Sequence, residues 1–135
     1  GIGAISLWLG QFGLKVTGIE DLPQAVEDAR SSAKENCIDC CSFLHGRVEE
    51  HIRKFKEQDI ETIILDPPRK GCSEKVLESV CEISPKQVIY ISCNPSTLAR
   101  DLTRLEEYTI KEISVIDLFP QTQHIETAVL LTKVS

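Results

Sequence analysis

Two short apolar segments, each ending near a proline-containing turn, constrain the fold of this 135-residue chain most strongly. The first covers residues 62–65 and stops at Asp66-Pro67-Pro68. The second covers residues 87–91 and is followed closely by Asn94-Pro95. Proline cannot donate a ladder hydrogen bond, and it disfavours helical geometry in the residue before it. Each segment is therefore predicted to be a strand that is buried on both faces and ends abruptly, as in a helix-covered parallel sheet.

Segments with helical and strand patterns alternate along most of the chain. Helices are predicted over residues 4–9, 23–36, 48–57, 73–81 and from residue 95 onwards, and strands over residues 15–19, 41–44, 62–65 and 87–91. Two last strands, 108–117 and 125–133, have no helix between them and are expected to form an antiparallel hairpin. The pattern predicts an α/β fold with a doubly wound, mainly parallel sheet and an antiparallel C-terminal strand pair.

Length and charge restrict the class of protein. A chain with 41% hydrophobic and 27% charged residues is typical of one globular domain, here residues 1–135. A net charge of −6 disfavours a stand-alone nucleic-acid-binding protein, because Lys and Arg contacts to phosphate supply most non-specific affinity. No apolar run reaches membrane-spanning length and no signal-peptide pattern is present, so we expect a cytoplasmic protein without a membrane partner.

Three of the six cysteines, Cys37, Cys40 and Cys41, form a C-x-x-C-C cluster. No second pair of cysteines or histidines at the usual spacing supplies the remaining ligands of a metal site. Disulfides are not expected in a cytosolic chain with scattered thiols. We therefore predict no metal site.

Cys93 is the cysteine whose surroundings indicate a function, although an arbitrary free cysteine is more often a buried, inert one. It lies between a predicted strand and a helix that begins near Pro95. Open α/β sheets bind ligands at the carboxyl ends of their strands, and a helix N-terminus favours a thiolate. Asp66 ends the preceding strand in the same way. The predicted helix carries an apolar stripe of three leucines, Leu98, Leu102 and Leu105.

Three motifs resemble those of the RNA (uracil-5-)-methyltransferases, which are S-adenosylmethionine-dependent enzymes that make 5-methyluridine in tRNA or 23S ribosomal RNA. The motifs are DPPRKG at residues 66–71, SCNPSTLARD at residues 92–101 and HIET at residues 124–127. The resemblance runs through nearly the whole chain. It implies a Rossmann-like methyltransferase catalytic domain that is truncated at its N-terminus, so that the first strand of the sheet is missing.

The resemblance also implies roles for individual residues. Cys93 is expected to attack C6 of the uracil ring, and Glu126 to remove the proton from C5. Asp66 is expected to orient the base or the cofactor and, with Asn94 and Arg100, to contact the RNA. The target is expected to be a uridine in a loop or single strand, because the base must leave its stack to be methylated. The RNA is expected to dock mainly on regions absent from this chain.

S-adenosyl-L-methionine is the expected cofactor. Gly1 and Gly3 precede the first predicted helix, where the backbone can approach a ligand closely, and Glu20 ends the next strand, where a carboxylate can bind a ribose diol. Asp66 is the fourth expected cofactor contact. A nicotinamide-binding oxidoreductase shares part of this pattern, but the third glycine of its fingerprint is replaced by Ser6.

Two other interpretations remain open. Amino-methyltransferases also end a strand in Asp or Asn followed by Pro-Pro, but they usually have an aromatic residue where Arg69 stands and need no counterpart of Cys93. The non-enzymatic alternative is a methyltransferase remnant that only binds cofactor or a partner.

Overall fold

Strands and helices alternate through the first hundred residues, as the sequence predicts. The computed structural model describes residues 1–117, 121 and 125–134. The chain divides into two units, Gly1–His51 and Ile52–Ser135. Among the described residues, no helix combines the length and the apolar character needed to cross a membrane.

The first unit is built on a two-stranded parallel sheet. Its elements are α1 (Ala4–Gly10), β1 (Val16–Glu20), α2 (Pro23–Glu35), β2 (Cys41–His45) and α3 (Val48–His51). The fixed φ of Pro23 suits the first turn of α2. Side chains of α2, among them Val26 and Ala29, pack with Phe43 of β2 in a small core. Pairing of β1 with β2 leaves Glu20 at the carboxyl end of β1, beside His45.

The second unit contains a four-stranded mixed sheet. Its elements are a 3-10 helix (Ile52–Phe55), β3 (Thr62–Leu65), α4 (Glu74–Ile83), β4 (Gln87–Ser92), α5 (Pro95–Leu102), β5 (Tyr108–Ile116) and β6 (Glu126–Lys133). The strand order is β3-β4-β6-β5. β3 and β4 are parallel, whereas β6 is antiparallel to both of its neighbours. The last strand of the chain therefore lies between β4 and β5.

The α/β class and the antiparallel C-terminal strand pair are confirmed, with differences in detail. The described strands pair in two sets, β1-β2 and β3-β4-β6-β5. The helix predicted over residues 48–57 ends at His51 and continues as the 3-10 helix, in which Ile52 is buried. Such tighter turns are common at helix C-termini, because they satisfy carbonyl groups that the last α-helical turn leaves free.

Helix α5 buries a different face from the predicted one. Leu98 and Leu105 are buried as expected, but the third buried position is Asp101, and Leu102 is only half-buried. Leu98 and Asp101, three residues apart, lie on one face of α5, whereas Leu105 follows the helix, which ends at Leu102. The buried face of α5 therefore contains a carboxylate in place of the expected Leu102.

Alternate residues of the two central strands form a buried face. β4 buries Val88, Tyr90 and Ser92, and β6 buries Thr127, Val129 and Leu131. The antiparallel register places these residues opposite one another in pairs. The outer strand β5 is more open, since Ile110 pairs with Leu131 but is 45% exposed, whereas Leu131 is 2% exposed.

This difference in burial predicts unequal costs of truncation. Leu131→Ala should lower the free energy of unfolding by about 2–5 kcal/mol, because it leaves a cavity in the core. Ile110→Ala, at the opposite position of β5, is the matched control and should cost less than about 1 kcal/mol. Urea denaturation of both variants measures these values. Equal costs would contradict the described burial of β6.

The start of α5 gives a second stability prediction. Asn94 has an extended backbone, and its side chain accepts a hydrogen bond from the Ser96 N–H. Asn94→Ala should therefore cost about 0.5–2 kcal/mol. Asn94→Asp should recover only part of this, because it keeps the cap but loses the Nδ2 hydrogen bond to the Arg69 carbonyl. Ser96→Ala, in the same turn, should change stability by less than about 0.5 kcal/mol. Denaturation midpoints of the three variants test this, and an unchanged midpoint in Asn94→Ala would contradict the capping role.

Candidate active site

The ends of three strands meet at one edge of the four-stranded sheet. β3 ends at Leu65, which pairs with Tyr90 of the parallel strand β4. Asp66 therefore follows β3 at the edge where β4 also ends. Because β6 runs antiparallel to β4, the amino end of β6 lies at this same edge. Cys93, the first residue after β4, and Glu126, the first residue of β6, are thus brought to the edge that carries Asp66.

Cys93 and Glu126 lie next to the last residue pair of β4 and β6. Ser92 pairs with Thr127, Cys93 follows Ser92 in a bend, and Glu126 precedes Thr127 as the first residue of β6. Neighbouring strands lie about 4.8 Å apart, so the strand ends that carry the two residues lie close together. Both side chains are half-buried. Residues 122–124, which include the histidine of the HIET motif, lie outside the described residues.

Hydrogen bonds fix the turn that carries Cys93. The hydroxyl of Ser92, which is buried, donates to the Asn94 carbonyl oxygen and accepts from the Asn94 N–H, both at 3.0 Å. Asn94 then caps α5 through the Ser96 N–H at 3.1 Å. Cys93 lies immediately before this cap, at the N-terminus of α5.

The loop after Asp66 is tied to α5 by side-chain hydrogen bonds. Asn94 Nδ2 and Thr97 Oγ1 each donate to the Arg69 carbonyl oxygen at 3.1 Å. Arg100 Nη2 donates to the Lys70 carbonyl oxygen at 2.9 Å. Asp66 itself is exposed at the start of the loop. Hydrogen bonds from α5 and its cap residue therefore hold the backbone of the loop in place.

Asp101 joins the loop, the strand and the helix through one buried carboxylate, which is 1% exposed. Its Oδ2 accepts from Tyr90 Oη at 2.5 Å and from the Cys72 N–H at 2.8 Å. Its Oδ1 accepts from Arg100 Nε at 2.8 Å and from Arg100 Nη2 at 2.6 Å. Burial, together with the hydrogen bond to Asp101, raises the pKa of Tyr90 above its ordinary value. The phenol therefore remains an O–H donor at neutral pH.

Asn94 and Arg100, two of the predicted RNA-binding residues, both make contacts within the protein. Asn94 uses its amide oxygen for the cap and its amide nitrogen for the Arg69 carbonyl. Arg100 contacts Asp101 and Lys70, but its side chain is 56% exposed and can still meet a ligand. Contact of either residue with RNA stays a prediction.

Sequence reasoning missed the polar residues that hold the two turns, namely Tyr90, Ser92, Thr97 and Asp101. One signal for Asp101 was present in the sequence. It lies three residues after Leu98 and four before Leu105, so that an ionisable residue falls on the apolar stripe. A buried carboxylate at such a position requires partners, and basic and hydroxyl groups stand nearby.

The first unit holds three of the expected cofactor residues. Glu20 Oε1 accepts from the Leu22 N–H at 2.9 Å, and Oε2 contacts the amino group of Gly1. Gly3 has φ of +82°, and a Cβ there would lie 2.8 Å from Ala29 Cβ, so packing alone requires glycine. A Cβ on Gly1 would meet nothing within 4 Å. The carboxylate at the end of β1 has the chemistry to accept hydrogen bonds from a ribose diol. The fourth residue, Asp66, belongs to the second unit.

The cysteine cluster has hydrogen-bonded thiols. Cys40 Sγ donates to the Gly10 carbonyl oxygen at 3.2 Å, and Cys41 Sγ donates to the Ser6 carbonyl oxygen at 3.1 Å. Within the part of the chain that the structure describes, no group of three or more His, Cys, Asp or Glu side chains is arranged to hold a metal ion.

Comparison with solved structures relates this arrangement to known methyltransferases. A Pyrococcus abyssi tRNA (uracil-54, C5)-methyltransferase in complex with S-adenosyl-L-homocysteine superimposes with a TM-score of 0.84 at 32% identity, over 98% of this chain and 32% of that one. An rRNA methylase from Streptococcus thermophilus superimposes with a TM-score of 0.72 at 15% identity, over 100% of this chain and 82% of that one. The second likeness shows the fold alone.

Comparison of sequences agrees with this. An uncharacterized RNA methyltransferase of Clostridium acetobutylicum is 46% identical over 138 residues, which cover 99% of this chain and 30% of the relative. The chain thus spans about 30% of the length of the curated relatives it matches. Residues 1–134 match the family described as tRNA (Uracil-5-)-methyltransferase. The chain therefore belongs to the tRNA (uracil-5-)-methyltransferase family.

Proposed function

We propose that the full-length protein transfers a methyl group from S-adenosyl-L-methionine to C5 of a uridine in RNA, through a covalent bond between Cys93 and C6. The observation that carries this proposal is the convergence of Asp66, Cys93 and Glu126 at one edge of the sheet. Membership of the family and the 32% identity to the P. abyssi uracil C5 enzyme support it.

S-adenosyl-L-methionine is the cofactor, and when bound it supplies a methyl group on a positively charged sulfur. The P. abyssi relative, whose structure contains S-adenosyl-L-homocysteine, supports this assignment. Glu20 and the backbone at Gly1 would hold the ribose. Gly3 forms the turn that leads into α1. Asp66 would orient the cofactor or the uracil.

Cys93 makes C5 reactive. Uracil C5 is a weak nucleophile, so a methyl group cannot be transferred to it directly. The Cys93 thiolate adds to C6 and forms an S–C6 bond, while the electrons of the C5–C6 double bond move towards the C4 carbonyl as an enolate. C5 then carries the electron density that accepts the methyl group.

Glu126 completes the reaction as the general base. Once C5 carries both the methyl group and its original hydrogen, the Glu126 carboxylate takes that proton. The electron pair of the C5–H bond restores the C5–C6 double bond, and the S–C6 bond breaks to return the Cys93 thiolate. Glu126 is half-buried at the amino end of β6, next to the end of β4 that leads to Cys93.

The proposed substrate is a uridine in a loop or single strand of tRNA or ribosomal RNA, since the ring must leave its stack to reach Cys93. Asn94 and Arg100 are proposed to contact the nucleotides around it, together with Asp66. With a net charge of −6, this chain is a poor platform for phosphate groups, so most backbone contacts are assigned to other parts of the full-length protein. An RNA substrate of this kind implies a cytoplasmic location.

Trapping with 5-fluorouridine RNA tests the nucleophile. Fluorine at C5 cannot leave as a proton, so the full-length protein with S-adenosylmethionine should accumulate a covalent RNA complex. Cys93→Ala should abolish the complex in denaturing gels and intact-mass spectra. Cys81→Ala, which removes another half-buried thiol of the same unit, should leave it unchanged. A complex formed by the Cys93→Ala variant would show that the nucleophile is a different residue.

Replacement of Glu126 tests the base. Glu126→Gln keeps the shape of the side chain but cannot take the proton, so methyl transfer should occur while release from Cys93 stalls. A methylated protein–RNA adduct should accumulate, and turnover should fall by about 10²–10⁴-fold. Glu112→Gln, on the neighbouring strand β5, is the control and should turn over normally. Normal turnover in Glu126→Gln would remove Glu126 from the mechanism.

A further inference from the structure

We infer that Asp101 is a positioning residue for this reaction, acting with Tyr90 to fix the loop that carries Asp66 against the turn that carries Cys93. The inference rests on the proposed function. It assigns to the buried carboxylate a role in the rate of adduct formation, in addition to its contribution to stability.

Three backbone groups of the loop, within four residues, are held by side chains from the segment that follows Cys93. The Arg69 carbonyl accepts from Asn94 and Thr97, and the Lys70 carbonyl accepts from Arg100. The Cys72 N–H donates to Asp101. Residues of α5 and its cap therefore set the path of the loop.

Burial of the Asp101 carboxylate carries a cost in folding stability. A carboxylate that is removed from water destabilises the fold unless several donors compensate it, and an apolar side chain would fill such a position without that cost. The four bonds that Asp101 accepts come from Tyr90 of β4, Arg100 of α5 and Cys72 of the loop. One side chain thus connects the strand that leads to Cys93, the helix after it and the loop after Asp66.

The loop approaches the Asp101 carboxylate most closely at Gly71. A Cβ on Gly71 would lie 2.5 Å from Asp101 Oδ2 and 2.6 Å from Arg100 Nη2, and φ is +78°. A residue with a Cβ atom therefore cannot replace Gly71 unless the loop moves. The loop therefore lies directly on the Asp101–Arg100 pair, five residues beyond Asp66.

Catalysis is sensitive to such placement. A displacement of about 1 Å in a reacting group can cost on the order of 10²-fold in rate, because the attacking atoms must be held in a near-attack geometry. Loss of a hydrogen bond to Asp101 should let the loop after Asp66 shift, so that Asp66 no longer orients the bound uracil correctly. The attack of Cys93 on the uracil should therefore become slower. Binding of the RNA, which uses a wider surface, should change little.

A pair of tyrosine variants of the full-length protein separates positioning from stability. Tyr90→Phe removes the hydroxyl that donates to Asp101. Tyr108→Phe is the matched control, because Tyr108 is also buried and its hydroxyl donates to the Pro85 carbonyl oxygen at 2.9 Å. Each variant loses one buried hydroxyl of the same unit, together with its hydrogen bond to Asp101 or to Pro85. Both melting temperatures should fall, and that of Tyr90→Phe should fall further because a hydrogen bond to a buried charged group is worth more than one to a carbonyl.

The rates should differ. Under single-turnover conditions, with saturating 5-fluorouridine RNA and S-adenosylmethionine, Tyr90→Phe should form the covalent adduct about tenfold more slowly than the wild type. Tyr108→Phe should stay within about twofold of the wild type. The RNA concentration that gives half the maximal rate should be unchanged in both. Equal rates in the two variants would overturn the inference.

A pair of glycine variants gives an independent readout. Gly71→Ala pushes the loop away from Asp101, whereas Gly13→Ala adds a Cβ in open space at nearly the same φ, +75°. Folded Gly71→Ala protein should lose at least as much adduct rate as Tyr90→Phe, and Gly13→Ala should keep the wild-type rate. Wild-type rates in both would also overturn the inference. A wild-type protein that forms no adduct would instead overturn the proposed function, and the inference with it.

Discussion

Antiparallel pairing of β6 with β4 is the constraint on which the rest of the site depends. A strand that ends just before Cys93 and a strand that begins at Glu126 can bring these residues to one edge of the sheet only if they run in opposite directions. The parallel pairing of β3 with β4 then adds Asp66 to this edge. Strand pairing thus brings to one edge three residues that are 27 to 60 positions apart in the chain.

Buried polar side chains of the second unit, among them Ser92 and Asp101, lie at or beside the turns at this edge. Ser92 holds the Cys93 turn through two hydrogen bonds to the backbone of Asn94. Asp101 accepts four hydrogen bonds, one from the loop, one from β4 and two from α5. Buried polar networks of this kind cost stability when they are incomplete and give a single geometry when every group is satisfied. The described residues contain no buried side-chain nitrogen or oxygen without a partner. The Cys93 turn and the neighbouring loop are thus surrounded by polar groups whose hydrogen bonds are satisfied.

The local features of this fold could be predicted from the sequence, and the long-range ones could not. Proline residues mark the ends of β3 and β4 because they cannot continue a ladder, and the motifs around Asp66, Cys93 and Glu126 are contiguous. The insertion of β6 between β4 and β5 depends on pairing between distant segments, which no local periodicity encodes. Asp101 was missed because the pattern of leucines in α5 suggested an apolar stripe that included Leu102. Its burial becomes understandable only when Tyr90 and Cys72, which are distant in sequence, are seen beside it.

The central claim is that the methyl group replaces the hydrogen on C5 of a uridine. RNA carrying tritium at C5 of uridine measures this directly when it is incubated with the full-length protein and S-adenosylmethionine. The account predicts that one tritium is released to water for each methyl group that enters the RNA, because the C5 proton must leave before the Cys93 bond breaks. Methyl incorporation without tritium release would place the methyl group on another atom, such as an amino nitrogen, and would contradict the account.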